Sequence, residues 1–357
     1  MPSRPSLPLR GRHGRGDDPL ERTDAWFLAN GLSYFVPEKR TEARAALSPR
    51  RTVPRLLLVA LVAAAAGGAL AWVTGQFSAA PAVVLSLVIV ATVVYALTVL
   101  HARPIVTWAL ARTVAGLRSL LPLATRALPL LLVFVTFLFI NAEVWQLAAE
   151  LETGALWLVV LLFAVLAVAF LAVRLPEEVD KVDDEVDDAF LVRACAGTPL
   201  EDECARLVAD PDADPASYAT VTGFERANLV AFMVVIQAAQ VLLMAGGVLV
   251  FFLLFGALTM GVDVQSAWTG LERDEITKLP YLVQVSVPLG KVSLFLAAFS
   301  LLYLAVSTVT DDTYREQFFG RVTRELERAV GVRAVYLALR AQRDTEGPVQ
   351  SPSSPGV

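Results

Sequence analysis

Hydrophobic positions along this chain gather into six long runs with few polar interruptions. Leu56 to Phe77, Pro81 to Leu100, Ala127 to Leu147, Ala155 to Val173 and Val292 to Thr310 each match one spanning helix, and Ala227 to Met260 is longer. Crossing a hydrocarbon core of about 30 Å takes roughly 20 mostly apolar residues in a helix. Lipid offers no water to satisfy backbone amides, so such runs cross as helices. The pattern predicts an all-α, polytopic helical membrane protein: six transmembrane helices with cytoplasmic amphipathic helices. Ala227 to Met260 would extend about 51 Å at 1.5 Å per residue. It reads as one long tilted or projecting helix, although Gly246 and Gly247 offer a place to split it.

The polar segments between the runs set the orientation. Eleven basic residues precede the first run, including Lys39, Arg40, Arg44, Arg50, Arg51 and Arg55. Arg103, Arg112, Arg118 and Arg126 follow the second run, and seven arginines from Arg315 to Arg343 follow the sixth. The intervening connections carry few basic residues: none in Ser78 to Ala80, and Arg273 and Lys278 alone between Gly261 and Gly290. Lys and Arg are retained on the inner side of a membrane. Both termini are therefore expected in the cytoplasm, in a multi-pass protein of the plasma membrane. Trp72, Trp145 and Trp157 then fall near the outer surface, with Trp268 in an outer loop, matching the interfacial preference of tryptophan. Pro104 to Leu123 is apolar, but Arg112 and Arg118 interrupt it, so it reads as an amphipathic helix along the inner surface.

The resulting organisation has five parts. A basic cytoplasmic segment (1–55) precedes spans one to four (56–174), an acidic cytoplasmic loop (175–226), spans five and six (227–310) and an amphipathic cytoplasmic tail (311–357). Asp18-Pro19 with Glu21 reads as a helix start that Gly31 would end. The acidic loop holds fifteen acidic residues against four basic ones. Within it, Val179, Val182, Val186 and Phe190 recur at helical spacing, opposite Asp180, Asp183, Asp184, Asp187 and Asp188. In the tail, Phe319, Val322, Leu326 and Val330 line one helix face, with arginines around the rest. That helix would lie on a leaflet, dock on a partner or cover the chain's own acidic loop.

Composition agrees: 56% of residues are hydrophobic and 18% charged, below the roughly 25% charged of soluble domains. Glu143 is the only charge inside a run, flanked by Asn141 and Gln146, while Gln237 and Gln240 share one face of the long fifth run. Intramembrane polar groups mark ion or proton paths, or bond neighbouring helices. Helix packing is the preferred reading of Glu143, Gln237 and Gln240, and Lys291 is expected to snorkel outward. The aspartate stripe, with Asp311 and Asp312 as a second cluster, would suit Mg²⁺ or Ca²⁺ in a lipid-processing enzyme. A solvated helix face is the simpler reading. His13 and His101 are the only histidines, both outside the runs, and Cys195 and Cys204 read as reduced thiols. No catalytic residue, cofactor or nucleic-acid partner is expected.

Two stretches, Leu32-Ser33-Tyr34-Phe35-Val36-Pro37 and Asp311-Asp312-Thr313-Tyr314-Arg315-Glu316-Gln317-Phe318-Phe319, resemble uncharacterised integral membrane proteins of high-GC actinobacteria. The resemblance implies a cell-membrane setting in a bacterium and carries no activity. The expected function is a non-catalytic assembly component, interacting with the lipid bilayer and either a protein partner or its own copies through cytoplasmic helices. A small-solute or ion transporter using Glu143, Gln237 and Gln240 is the first alternative, and an Mg-dependent lipid enzyme the second.

Overall fold

A computed structural model describes residues 18–46, 49–75, 77–98, 102–115, 131–279, 282–310 and 312–345. The described residues are 84% helical, an all-α architecture. Among the described residues, five helices are long and apolar enough to cross a membrane: α3 (Pro49–Thr74), α4 (Ala79–Thr98), α8 (Thr153–Asp184), α11 (Gly223–Thr259) and α13 (Val287–Thr310). This is a multi-pass membrane protein. The long fifth run forms one helix of 37 residues that passes through Gly246 and Gly247 unbroken.

The third run departs from the straight span the sequence predicts. Helices α6 (Leu131–Phe139) and α7 (Ala142–Glu150) meet at 71°; Ala127 to Leu130 lie outside the described residues. Asn141 causes the break. Its side-chain oxygen accepts the Glu143 amide hydrogen at 2.9 Å, which starts α7 with a cap of its own. A second difference is a short hairpin, β1 (Lys278–Leu279) antiparallel to β2 (Leu282–Ser286), leading directly into α13.

Contacts sort the helix ends into two sets. At one end, α8 begins against the α3–α4 turn. A Cβ added at Gly154 would come within 2.6 Å of the Ala79 nitrogen and the Ser78 carbonyl carbon. Here too are α7, α12 (Val262–Thr269) and the start of α13, where Lys291 donates to the carbonyls of Ala149 at 2.9 Å and Leu151 at 2.6 Å. Lys291 thus closes the C-terminal turn of α7 instead of snorkelling outward. Trp145 is likewise core rather than interfacial: it is fully buried, donates to the Phe139 carbonyl at 2.7 Å and meets Trp268 edge-on.

At the opposite end sit α1 (Pro19–Ala29), α2 (Pro37–Ala46), the last turns of α8, α9 (Asp188–Cys195), α10 (Glu201–Val208), the first turns of α11, and α14 (Asp312–Thr345). Tyr95, near the end of α4, donates to the Ala46 carbonyl here. Helix α5 (Arg103–Ala115) packs against α11 through Ile105, Ala109 and Thr113, all buried, with Trp108 over Phe232. That face of the segment meets protein, and 116–123 lie outside the described residues.

Between the ends, α8, α11 and α13 pack on one another. Phe139 stacks on Phe252 at 4.8 Å, and Gly256 lets Phe139 and Leu289 approach α11 closely. Outward faces are apolar and open, with Leu61 70% and Val173 72% exposed. Contiguous apolar exposure on this scale suits contact with acyl chains.

Candidate functional site

The charged segments converge into a headpiece built over the first turns of α11. Its centre is Glu225, whose side chain is 7% exposed in its ion pairs. Arg333 of α14, 8% exposed, donates through Nε at 2.9 Å and pairs through Nη2 at 2.7 Å. Its Nη1 donates to the carbonyls of Tyr218 at 2.7 Å and Thr220 at 3.2 Å. Arg40 of α2 pairs with the other Glu225 oxygen. A carboxylate in the first turn of a helix also faces the positive end of the helix dipole. Isolated charges are costly to bury, and this arrangement is stable because nearly every polar atom has a partner.

One turn further along, Asn228 is fully buried and holds the segment Leu32 to Pro37. It accepts from the Tyr34 amide at 2.9 Å and donates to the Gly31 carbonyl at 3.0 Å. Gly31 has φ of +74° directly after α1, as a glycine that ends a helix does. The motif read as a familiar signature is therefore a clamp that fastens the N-terminal segment to α11.

The N- and C-terminal helices close the headpiece. Asp18 caps α1 through the Leu20 amide and pairs with Arg343 at 2.7 Å. The hydrogen bond from Arg343 holds the Asp18 carboxyl below its ordinary range. Tyr336 donates to Asp24 at 2.7 Å. Burial raises the Asp24 carboxyl against the effect of that hydrogen bond, and raises the Tyr336 phenol as well. Cys195 and Cys204 are buried together between α9 and α10, and the hydrogen bond to Cys204 with burial pushes the Cys195 thiol up.

The aspartate stripe is divided by the fold. Helix α8 runs past Pro176 to Asp184, and Asp187 then accepts from the Phe190 amide at 2.6 Å, starting α9. The valine–phenylalanine face thus spans two helices instead of one. Val179, Val182 and Phe190 are buried, and α14 covers both helices through Leu326, Val330 and neighbours. Along this face the tail covers its own acidic loop. Asp180 pairs with Arg226 at 2.7 Å, and Asp183 accepts from the Val221 amide at 3.0 Å. Asp184 and Asp188 stay exposed. Among the described residues, no three His, Cys, Asp or Glu side chains gather to hold a metal. Asp311 lies outside the described residues, as does the side chain of Asp312; the side chains of Phe319 and Val322 do too.

The intramembrane candidates separate as well. Asn141, Glu143 and Gln146 are exposed around the start of α7, next to Phe139. Phe139 packs at Phe252, whereas Gln237 lies fifteen residues back along α11, a rise of about 22 Å. Gln237 is buried with Nε2 unpartnered, and Gln240 has Oε1 buried and unpartnered.

Glu225, Asn228, Arg333 and Tyr336 were not singled out by the sequence. The available signal was faint: Glu225 and Asn228 are polar residues at the mouth of a long apolar helix, three apart on one face. Comparison of the chain with protein-family models, curated proteins and solved structures finds no match in any of the three.

Proposed function

We propose that this chain is a six-span protein of the bacterial plasma membrane, with both termini cytoplasmic, that serves as a non-catalytic assembly component. Its headpiece offers an acidic surface to a basic segment of a partner protein. The even number of crossings is supported by the pairing of α1 with α14 beside the start of α11. The bent pair α6–α7 then counts as one broken crossing, because α5 packs at the Phe232 level and α7 beyond the Phe252 level. The arginine-rich segments around α1, α2 and α14 favour the inner side.

The observation that carries the docking reading is the fate of the charges. Asp180, Asp183 and Asp187 are used in pairing or capping, while Asp184, Glu185, Asp188 and Asp202 are exposed, leaving an acidic excess on this surface. Such a patch steers a cationic partner over about 10 Å at 0.1 M salt. The test is cross-linking in native membranes followed by purification, with and without Asp184→Asn, Glu185→Gln and Asp188→Asn together. A partner whose yield falls with the triple substitution and with raised salt supports the reading. A monomer without a reproducible partner, or one indifferent to the substitutions, overturns it.

A transport role is the second reading, favoured by one observation: Gln237 and Gln240 hold unpartnered polar atoms inside the long helix. Gln237→Leu with Gln240→Leu should then abolish solute flux or tolerance of ionic stress. Unchanged flux and growth would remove this reading.

A further inference from the structure

We propose that the headpiece binds a phosphate-bearing anion in the pocket between α9 and α14. The pocket has a volume of about 300 Å³ and is walled by Arg193 from α9 and by Arg324, Glu327 and Arg328 from α14, over Phe190 and small alanines. Three guanidiniums face one carboxylate there, Arg193 from the acidic loop and Arg324 and Arg328 from the arginine-rich tail. Several other arginines of the headpiece pair with carboxylates: Arg40 and Arg333 with Glu225, Arg226 with Asp180, Arg343 with Asp18. Arg193 and Arg324 are exposed on the pocket wall and take part in none of these pairs.

Arg328 is held ready instead of paired. Its Nη2 donates to the Ala196 carbonyl at 2.8 Å and its guanidinium lies over the Trp26 ring at 5.9 Å. Its Nε is buried without an acceptor. A buried donor with nothing to donate to is costly, and converging like charges repel. A ligand offsets that repulsion: an anion of about two negative charges with several oxygens, which is the chemistry of a phosphate monoester or diphosphate. The planar guanidinium fork matches those oxygens in pairs. The volume is at the small end for ligand pockets and accommodates a phosphorylated headgroup or a small phosphorylated metabolite.

The two sources are separated by the test. The full chain in detergent is titrated calorimetrically with sodium pyrophosphate, and the chain in nanodiscs is compared between phosphatidic acid and phosphatidylcholine. Wild type, the double variant Arg193→Gln with Arg324→Gln, and Arg206→Gln are measured at constant ionic strength. Arg206 is an exposed arginine outside the pocket, paired with Glu203. Pyrophosphate binding weakened at least tenfold in the double variant, and unaltered in Arg206→Gln, supports a soluble ligand. Stabilisation by phosphatidic acid alone, lost in the same variant, supports a lipid headgroup. Both altered residues are exposed, so the double variant should keep the wild-type circular dichroism and elution volume. Equal response of all three proteins, or no response to either probe, overturns the proposal.

Discussion

Replacing Glu225 by glutamine changes one charge and almost no volume at the centre of the headpiece. Arg333 would keep its bonds to the Tyr218 and Thr220 carbonyls, but its charge, 8% exposed, would lose its counter-ion. At an effective dielectric of about 20, two unit charges roughly 4 Å apart interact by about 4 kcal/mol. Breaking a buried pair by removing one partner costs a similar amount, about 3–5 kcal/mol. Arg40 adds less, because its side chain is 27% exposed and so is screened by solvent. Glu225→Gln is therefore expected to lower headpiece stability by about 3 kcal/mol. Urea-dependent pulse proteolysis in native membrane vesicles reads this as a shift in midpoint. The companion experiment removes both charges, with Glu225→Leu and Arg333→Met. Replacement of a whole buried pair by apolar residues is often close to neutral, so the double variant should be more stable than Glu225→Gln alone. A loss below about 1 kcal/mol for the single substitution, or a double variant no more stable than it, would refute the account of Glu225 as the keystone.

Other elements carry their own tests. Gly154→Val should destabilise by about 1–3 kcal/mol, seen as a lower melting temperature in detergent, because the new side chain meets the backbone of Ser78 and Ala79 at 2.6 Å. Lys291→Met leaves the Ala149 and Leu151 carbonyls without their charged donor, at a cost of about 1.5–3 kcal/mol. The loosened α7 should then show in the fluorescence of Trp145 and Trp268. For Asp24, burial raises the folded-state carboxyl above its ordinary 3.8. The folded chain binds more protons than the unfolded one between 3.8 and that raised value, so stability falls as pH rises through this window. Asp24→Asn, which still accepts from Tyr336, should abolish that fall. A stability profile unchanged by the substitution would show that Asp24 does not contribute it.

Which segments are helices long enough for a bilayer, and how basic and acidic segments alternate between them, can be read from the residues alone. Those properties are local: apolar length set against hydrocarbon thickness, and a helix repeat of 3.6 residues. The Asp18 cap and the Gly31 stop were legible for the same reason, since each acts on the few residues beside it. The break at Asn141 was missed because one side-chain hydrogen bond outweighed a run that is apolar over most of its length. Only the tertiary structure decided where the polar groups go. Glu225 meets Arg333 across 108 positions, and Asn228 meets Gly31 across 197. Packing likewise divided Glu143 from Gln237 and dispersed the aspartates that share a stripe on paper. Such outcomes depend on which faces of distant helices touch, and a buried charge must then find its partner wherever that contact places it.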